Sequence, residues 1–145
     1  MKSKENLVFL GMMASGKSSI GLLIAKKLKL DFIDIDKEIE KELGLSISNI
    51  FNERGEDYFR KLEEKITLKK LKVSSTVIAL GGGAFTNKNI RKEVLKDNIS
   101  FFGAGKSILL MKKTSPRIIA NPIIDLIIKL VILILPELVF LLNCI

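Results

Sequence analysis

At 145 residues, with 48% hydrophobic and 28% charged residues, the chain has the length and composition of one globular domain over residues 1–145. A formal net charge of +8 suits anionic partners or a lysine-rich solvated surface, while 6% aromatics with no interleaved basic block argue against nucleic-acid binding. The single Cys144 and the absence of histidine exclude an internal disulfide, a cysteine-built zinc site and imidazole catalysis.

In chain order, Asn6–Leu10 is a short apolar run before glycine and predicts a buried strand. Lys17–Leu28 places Ile20, Leu23, Ile24 and Leu28 at helical spacing, and Phe32–Ile35 reads as a second strand. Ser46 opens a short helix, and Glu56–Leu71 predicts a longer one with Phe59, Leu62, Ile66 and Leu71 on one face. Thr76–Leu80 is a third strand ending in Gly81–Gly83, followed by a helix over Asn87–Lys96 and a strand over Ile99–Phe102. Strands alternating with helices imply βαβ units, hence an α/β fold with a parallel sheet covered on both faces. The opening MKSKENLVFLG lacks the apolar core of a signal peptide, which makes a cytoplasmic enzyme the expectation.

Residues 11–18 read GMMASGKS, a full match to the phosphate-binding loop G-x-x-x-x-G-K-[ST]. Such a loop needs Gly11 for the sharp turn out of the strand and Gly16 for close backbone approach to an anion. The backbone around Met13, Ala14, Ser15, Gly16 and Ser19 then faces the phosphates, with the helix N-terminus behind. Lys17 reaches the β/γ-phosphates of ATP, and the Ser18 hydroxyl takes a place on Mg²⁺.

Three further segments carry candidate chemistry. In DFIDIDKEIE, Asp34 and Asp36 lie two apart at a strand end, so period-two alternation points both carboxylates the same way. One would serve Mg²⁺ through water and the other an acceptor hydroxyl; alternatively, one is the N-cap of a helix starting at Lys37. In RGEDYFRKLEE, Arg60 is either a ligand-binding cation or a solvated arginine paired with Glu64 at i+4. In ALGGGAF, Gly81, Gly82 and Gly83 either let a ligand approach the backbone or make a plain turn.

Taken together, GMMASGKSS, FIDIDKEIE, GEDYFRKLEE and VIALGGGAF stand in the order and spacing of the shikimate kinases, which the chain resembles over about residues 5–102. The resemblance implies a P-loop NTPase fold of the nucleoside-monophosphate-kinase type, three-layer αβα with a five-stranded parallel sheet. It implies transfer of the ATP γ-phosphate to the 3-hydroxyl of shikimate, with Mg²⁺ as cofactor, by a monomer. Carried over by position, Lys17, Asp36 and Arg117 would be catalytic. Ser18 and Asp34 would serve the metal, and Asp36, Arg60, Gly81, Gly82 and Gly83 the shikimate. Arg117 would close a lid over ATP.

The pattern departs from the family over residues 104–145. The lid region reads KSILLMKKTSPRIIANP, with proline before Arg117 rather than after it, and no arginine follows Arg117 to bind the substrate carboxylate a second time. Lys129 stands near that place but offers a point charge rather than a fork. From Ile118 to Ile145 the only charged side chains are Asp125, Lys129 and Glu137, and no stretch reaches the ~18 uncharged apolar residues of a membrane span. A buried terminal helix and strand, a membrane- or partner-binding segment, and a tail read out of frame all fit that composition. Beside an active shikimate kinase, two alternatives stand: another small-molecule P-loop kinase, and an ATP-binding protein that no longer catalyses.

Overall fold

The structure, a computed structural model, describes residues 6–11, 17–104 and 107–112. Its elements are β1 (Leu7–Gly11), α1 (Lys17–Leu28), β2 (Asp31–Asp34), α2 (Ile35–Leu43), α3 (Ile47–Leu71), β3 (Thr76–Ala79), a 3₁₀ turn (Ala84–Thr86), α4 (Lys88–Asp97), β4 (Ile99–Ala104) and β5 (Ser107–Lys112). The strands form one five-stranded sheet in the order β2-β3-β1-β4-β5.

Every residue of β1 and β3 is buried, as strands covered on both faces must be. Alternation divides their side chains between two cores. Val8, Leu10, Ile78 and Leu80 join Ile35, Ile39, Ile50, Phe59, Ile66 and Ile90 in one cluster, which places α2, α3 and α4 on that face of the sheet. Helix α1 packs against β1, β2 and β3 from the other side, completing three αβα layers. After β1 the chain travels toward β2, whereas after β3 it travels toward β4. The crevice at the C-terminal ends of β1 and β3 is therefore the topological switch point, where ligands bind in open α/β sheets.

Two expectations need correction. The sheet is not parallel throughout: β2, β3, β1 and β4 run parallel, but β5 is antiparallel to β4. Only residues 105 and 106 separate β4 from β5, and a parallel return needs a crossover of about a dozen residues. Part of the segment expected to form a lid, Ser107–Lys112, is thus an added strand at the sheet edge. Strand β2 also stops at Asp34, so Asp36 lies in the first turn of α2 rather than on a strand.

Helix α3 joins the two helices read from the sequence, with Ser46 as N-cap accepting from the Asn49 amide. The junction is Gly55, whose φ of 77° and ψ of 169° break the helix. Only glycine adopts that conformation cheaply, and the space around it is open, so a side chain there meets backbone strain and no clash. Gly55→Ala is expected to lower stability by about 1–3 kcal/mol in urea titrations. An unchanged midpoint would show that the break is not held by the surrounding packing.

Candidate active site

The site is assembled from four chain segments at the C-terminal edge of the sheet. Lys17, the first residue of α1, is buried, and Ser18 follows it. The Ser18 hydroxyl donates to Asp34 Oδ2 at 2.7 Å. The other oxygen of the same carboxylate, Oδ1, accepts from the Asp36 amide at 3.1 Å and so caps α2. The capping alternative therefore holds for Asp34, on a helix that starts at Ile35 rather than Lys37, while its other oxygen faces Ser18. A hydroxyl and a carboxylate in contact are hard oxygen donors of the kind Mg²⁺ takes alongside phosphate and water, so this pair fits the ion.

Asp36 projects from the first turn of α2, where the helix dipole favours an anion. Burial pushes its carboxyl above the usual range; the Asp34 charge adds to the rise, while Lys17 and, more weakly, Arg60 pull it back. The charges of Asp34, Lys17 and Arg60 thus all act on the Asp36 carboxyl.

Arg60 lies on the second half of α3. Its Nη1 donates to Glu63 Oε2 at 2.8 Å, and Nη2 and Nε donate to Glu56 Oε1 at 3.1 and 3.2 Å. The partners are not Glu64, the i+4 residue: the guanidinium turns to Glu56, one turn back, and to Glu63, which lies toward the core. Burial works against its charge, but the hydrogen bonds and charges of Glu63 and Glu56 outweigh that and raise its pKa. Those contacts use three of the five guanidinium N–H groups, leaving two for a ligand among the described residues.

The glycine run closes the site. A Cβ at Gly81 would stand 3.1 Å from Asp36 Oδ1 and 3.2 Å from Glu63 Oε1; one at Gly83 would stand 2.5 Å from Arg60 Nη1. A side chain at either position would therefore displace the ends of Asp36, Glu63 or Arg60. Asp36, Arg60, Glu63 and Gly81–Gly83 line one cavity of about 810 Å³, whose apolar wall includes Phe51 and Phe59. Their rings pack with centroids 4.7 Å apart, and the Arg60 guanidinium lies 5.2 Å from the Phe59 centroid. A cavity with carboxylates and a cation at one end and aromatic rings along a wall suits a small polyhydroxylated acid.

Glu63 is the functional side chain that sequence reasoning missed. It is 2% exposed, on the buried stripe with Phe59, Ile66 and Thr67. A carboxylate on an apolar stripe three residues from Arg60 was the available signal. Met13, Ala14, Ser15 and Gly16 of the phosphate loop, and Arg117, lie outside the described residues, as does the tail at 118–145. Ser19 is exposed on α1.

Burial pushes the Glu63 carboxyl up; the Arg60 hydrogen bond and charge pull it back, and the Asp36 charge adds to the rise. The folded chain therefore holds this proton more tightly than the unfolded chain, whose glutamates titrate near 4.5. The stability linked to Glu63 is full below that pH and is lost as pH rises through the folded value. In Glu63→Gln, the fall in urea-measured stability from pH 4.5 upward is expected to be shallower than in the parent chain. Equal slopes would show that Glu63 is not protonated in this window.

Comparisons with known proteins point to one family. The family model for shikimate kinase matches residues 13–117. The shikimate kinase of Geobacillus thermodenitrificans (strain NG80-2) is 43% identical over 104 residues, covering 68% of this chain and 53% of that protein. That of Bacillus subtilis (strain 168) is 44% identical over 99 residues, covering 65% and 51%. The chain thus spans about half the length of these curated relatives. Among solved structures, shikimate kinase from Aquifex aeolicus vf5 superposes with a TM-score of 0.64 at 36% identity, covering 67% of this chain and 58% of that one. Shikimate kinase from Acinetobacter baumannii in complex with shikimate gives a TM-score of 0.68 at 24% identity, covering 90% and 75%, and shares the fold.

Proposed function

Because the chain belongs to the shikimate kinase family, we propose that it transfers the γ-phosphate of ATP to the 3-hydroxyl of shikimate, a step in aromatic amino acid biosynthesis. The observation that carries this reading is the convergence of Asp36, Arg60 and the glycine run on one cavity beside the Ser18–Asp34 pair. The working form is a cytoplasmic monomer. Among the described residues, no helix is long and apolar enough to cross a membrane.

Each side chain has a defined task. The two remaining N–H groups of Arg60 receive the substrate carboxylate and set its orientation. Asp36 accepts a hydrogen bond from the reacting hydroxyl and takes its proton as the bond from that oxygen to the γ-phosphorus forms. The bond from phosphorus to the β,γ-bridging oxygen breaks, and ADP leaves with the electron pair. A carboxyl raised by burial is a better base than one in water, and the Lys17 charge moderates the rise. Mg²⁺, held by Ser18 and through water by Asp34, would offset the phosphate charge when bound. Gly82, exposed in the glycine run, offers its backbone to the substrate, and Arg117 supplies charge to the transferring phosphoryl group.

The strand at Ser107–Lys112, standing where part of a lid was expected, favours a second reading: a chain that binds ATP and transfers nothing. Coupled ADP release from Mg·ATP, with and without shikimate, separates the two. Shikimate-dependent turnover supports the kinase; nucleotide binding without turnover supports the second reading. In the active chain, Asp36→Asn is expected to lower kcat by about 10²–10⁴ while leaving KM for ATP near the parent value. Arg60→Lys keeps the charge but loses the fork, and is expected to raise KM for shikimate about tenfold. Equal effects of Arg60→Lys on both substrates would argue against the assignment of Arg60 to the carboxylate.

A further inference from the structure

Glu64 stands next to the buried Glu63 but faces a different partner. Its Oε2 accepts from Asn87 Nδ2 at 2.8 Å, and its Oε1 from Asn89 Nδ2 at 2.7 Å. These bonds span 23 and 25 residues and tie the middle of α3 to the start of α4. The amide of Asn87 cannot turn around without loss, because its Oδ1 already caps α4 by accepting from the Asn89 and Ile90 amides at 2.8 and 3.2 Å. Its donor face is thereby committed to Glu64.

Asn87 is joined to the glycine run by a continuous set of short-range bonds. The Asn87 amide donates to the Ala84 carbonyl, the Thr86 amide and hydroxyl to the Gly83 carbonyl, and the Ala84 amide to the Gly81 carbonyl. Residues 81–87 are therefore linked by successive hydrogen bonds. One end lies under the carboxylates of Asp36 and Glu63 and the guanidinium of Arg60; the other is gripped by Glu64. Arg60 and Glu64 are one helical turn apart on α3, so the ring from Arg60 through α3, Glu64, Asn87 and Gly83 back to Arg60 is closed.

We propose that Glu64 is a positioning residue: its clamp on Asn87 and Asn89 sets the height of the Gly81–Gly83 backbone against Arg60, and with it the width of the acceptor subsite. The Glu64 carboxyl is held below its ordinary range by the hydrogen bonds from Asn89 and Asn87, so it stays an acceptor through the neutral range. The inference rests on the kinase reading for its effect on turnover, but the clamp itself is a property of the chain.

The test is a donor–acceptor swap on the full chain. Asn87→Asp keeps a good N-cap for α4 but sets a second carboxylate against Glu64. Adding Glu64→Gln restores a donor facing that carboxylate. Asn87→Asp is expected to raise KM for shikimate about three- to tenfold with KM for ATP within about twofold, the net effect of about one ordinary hydrogen bond. The double variant should return to within about twofold of the parent. A folded Asn87→Asp variant with parental KM, or a double variant without recovery, overturns the proposal. A parent chain that does not phosphorylate shikimate fails the kinase reading instead, and amide exchange at Ala84 and Thr86 then decides the clamp. Protection lost in Asn87→Asp and regained in the double variant supports it; unchanged protection overturns it.

Discussion

The site depends on keeping one guanidinium fixed while leaving part of it unsatisfied. Arg60 must hold still without spending all its donors, and it is not on a rigid strand but on a helix bearing many other long charged side chains. Glu56 and Glu63 grip it from two sides, Phe59 lies beneath it, and Gly83 lets it rest against backbone. Each of these supports has its own requirement. The break at Gly55 sets off the second half of α3, the absence of a Cβ at Gly83 makes room, and burial of Glu63 gives the ion pair a low-dielectric partner.

Asp34 likewise divides its hydrogen-bonding capacity between two neighbours. A carboxylate has two oxygens, and the fold uses one for each neighbour: a helix cap on one side, the Ser18 hydroxyl on the other. The orientation of α2, and hence of Asp36, is tied by one side chain to the start of α1. A change at Asp34 would disturb helix entry and the Ser18 contact together.

Most of the architecture was legible because its signals are local. Apolar runs before glycine marked β1 and β3, Ser46 and Asn87 marked helix starts through their caps, and Gly55 separated two helical patterns. Motif spacing also singled out Asp36, Arg60 and Gly81–Gly83, which line one cavity, and Ser18 and Asp34, which share a hydrogen bond, but the geometry expected of Asp36 does not hold. Period-two alternation does not apply once Asp34 caps a helix, and Asp36 reaches the site from a helical turn instead. What stayed hidden depends on tertiary contact. Arg60 has glutamates at i−4, i+3 and i+4, and only the packing of α3 against the core decides that Glu63 goes inward and Glu64 toward α4. The antiparallel β5 was hidden for a related reason: Ser107–Lys112 has an apolar centre that fits a strand, but the family pattern directed attention to a lid.

Glu63 also shows why a site of this kind is not a source of stability. A carboxyl whose pKa is raised by burial is one whose ionised form the fold disfavours, and the nearby Asp36 makes that worse. An apolar residue of similar size on the same stripe would pack with Phe59 and Ile66 at no electrostatic cost. It would, however, leave Arg60 held by Glu56 alone, an exposed partner in high dielectric whose grip is weak. The buried acid is thus better understood as the element that converts a mobile surface arginine into a positioned one.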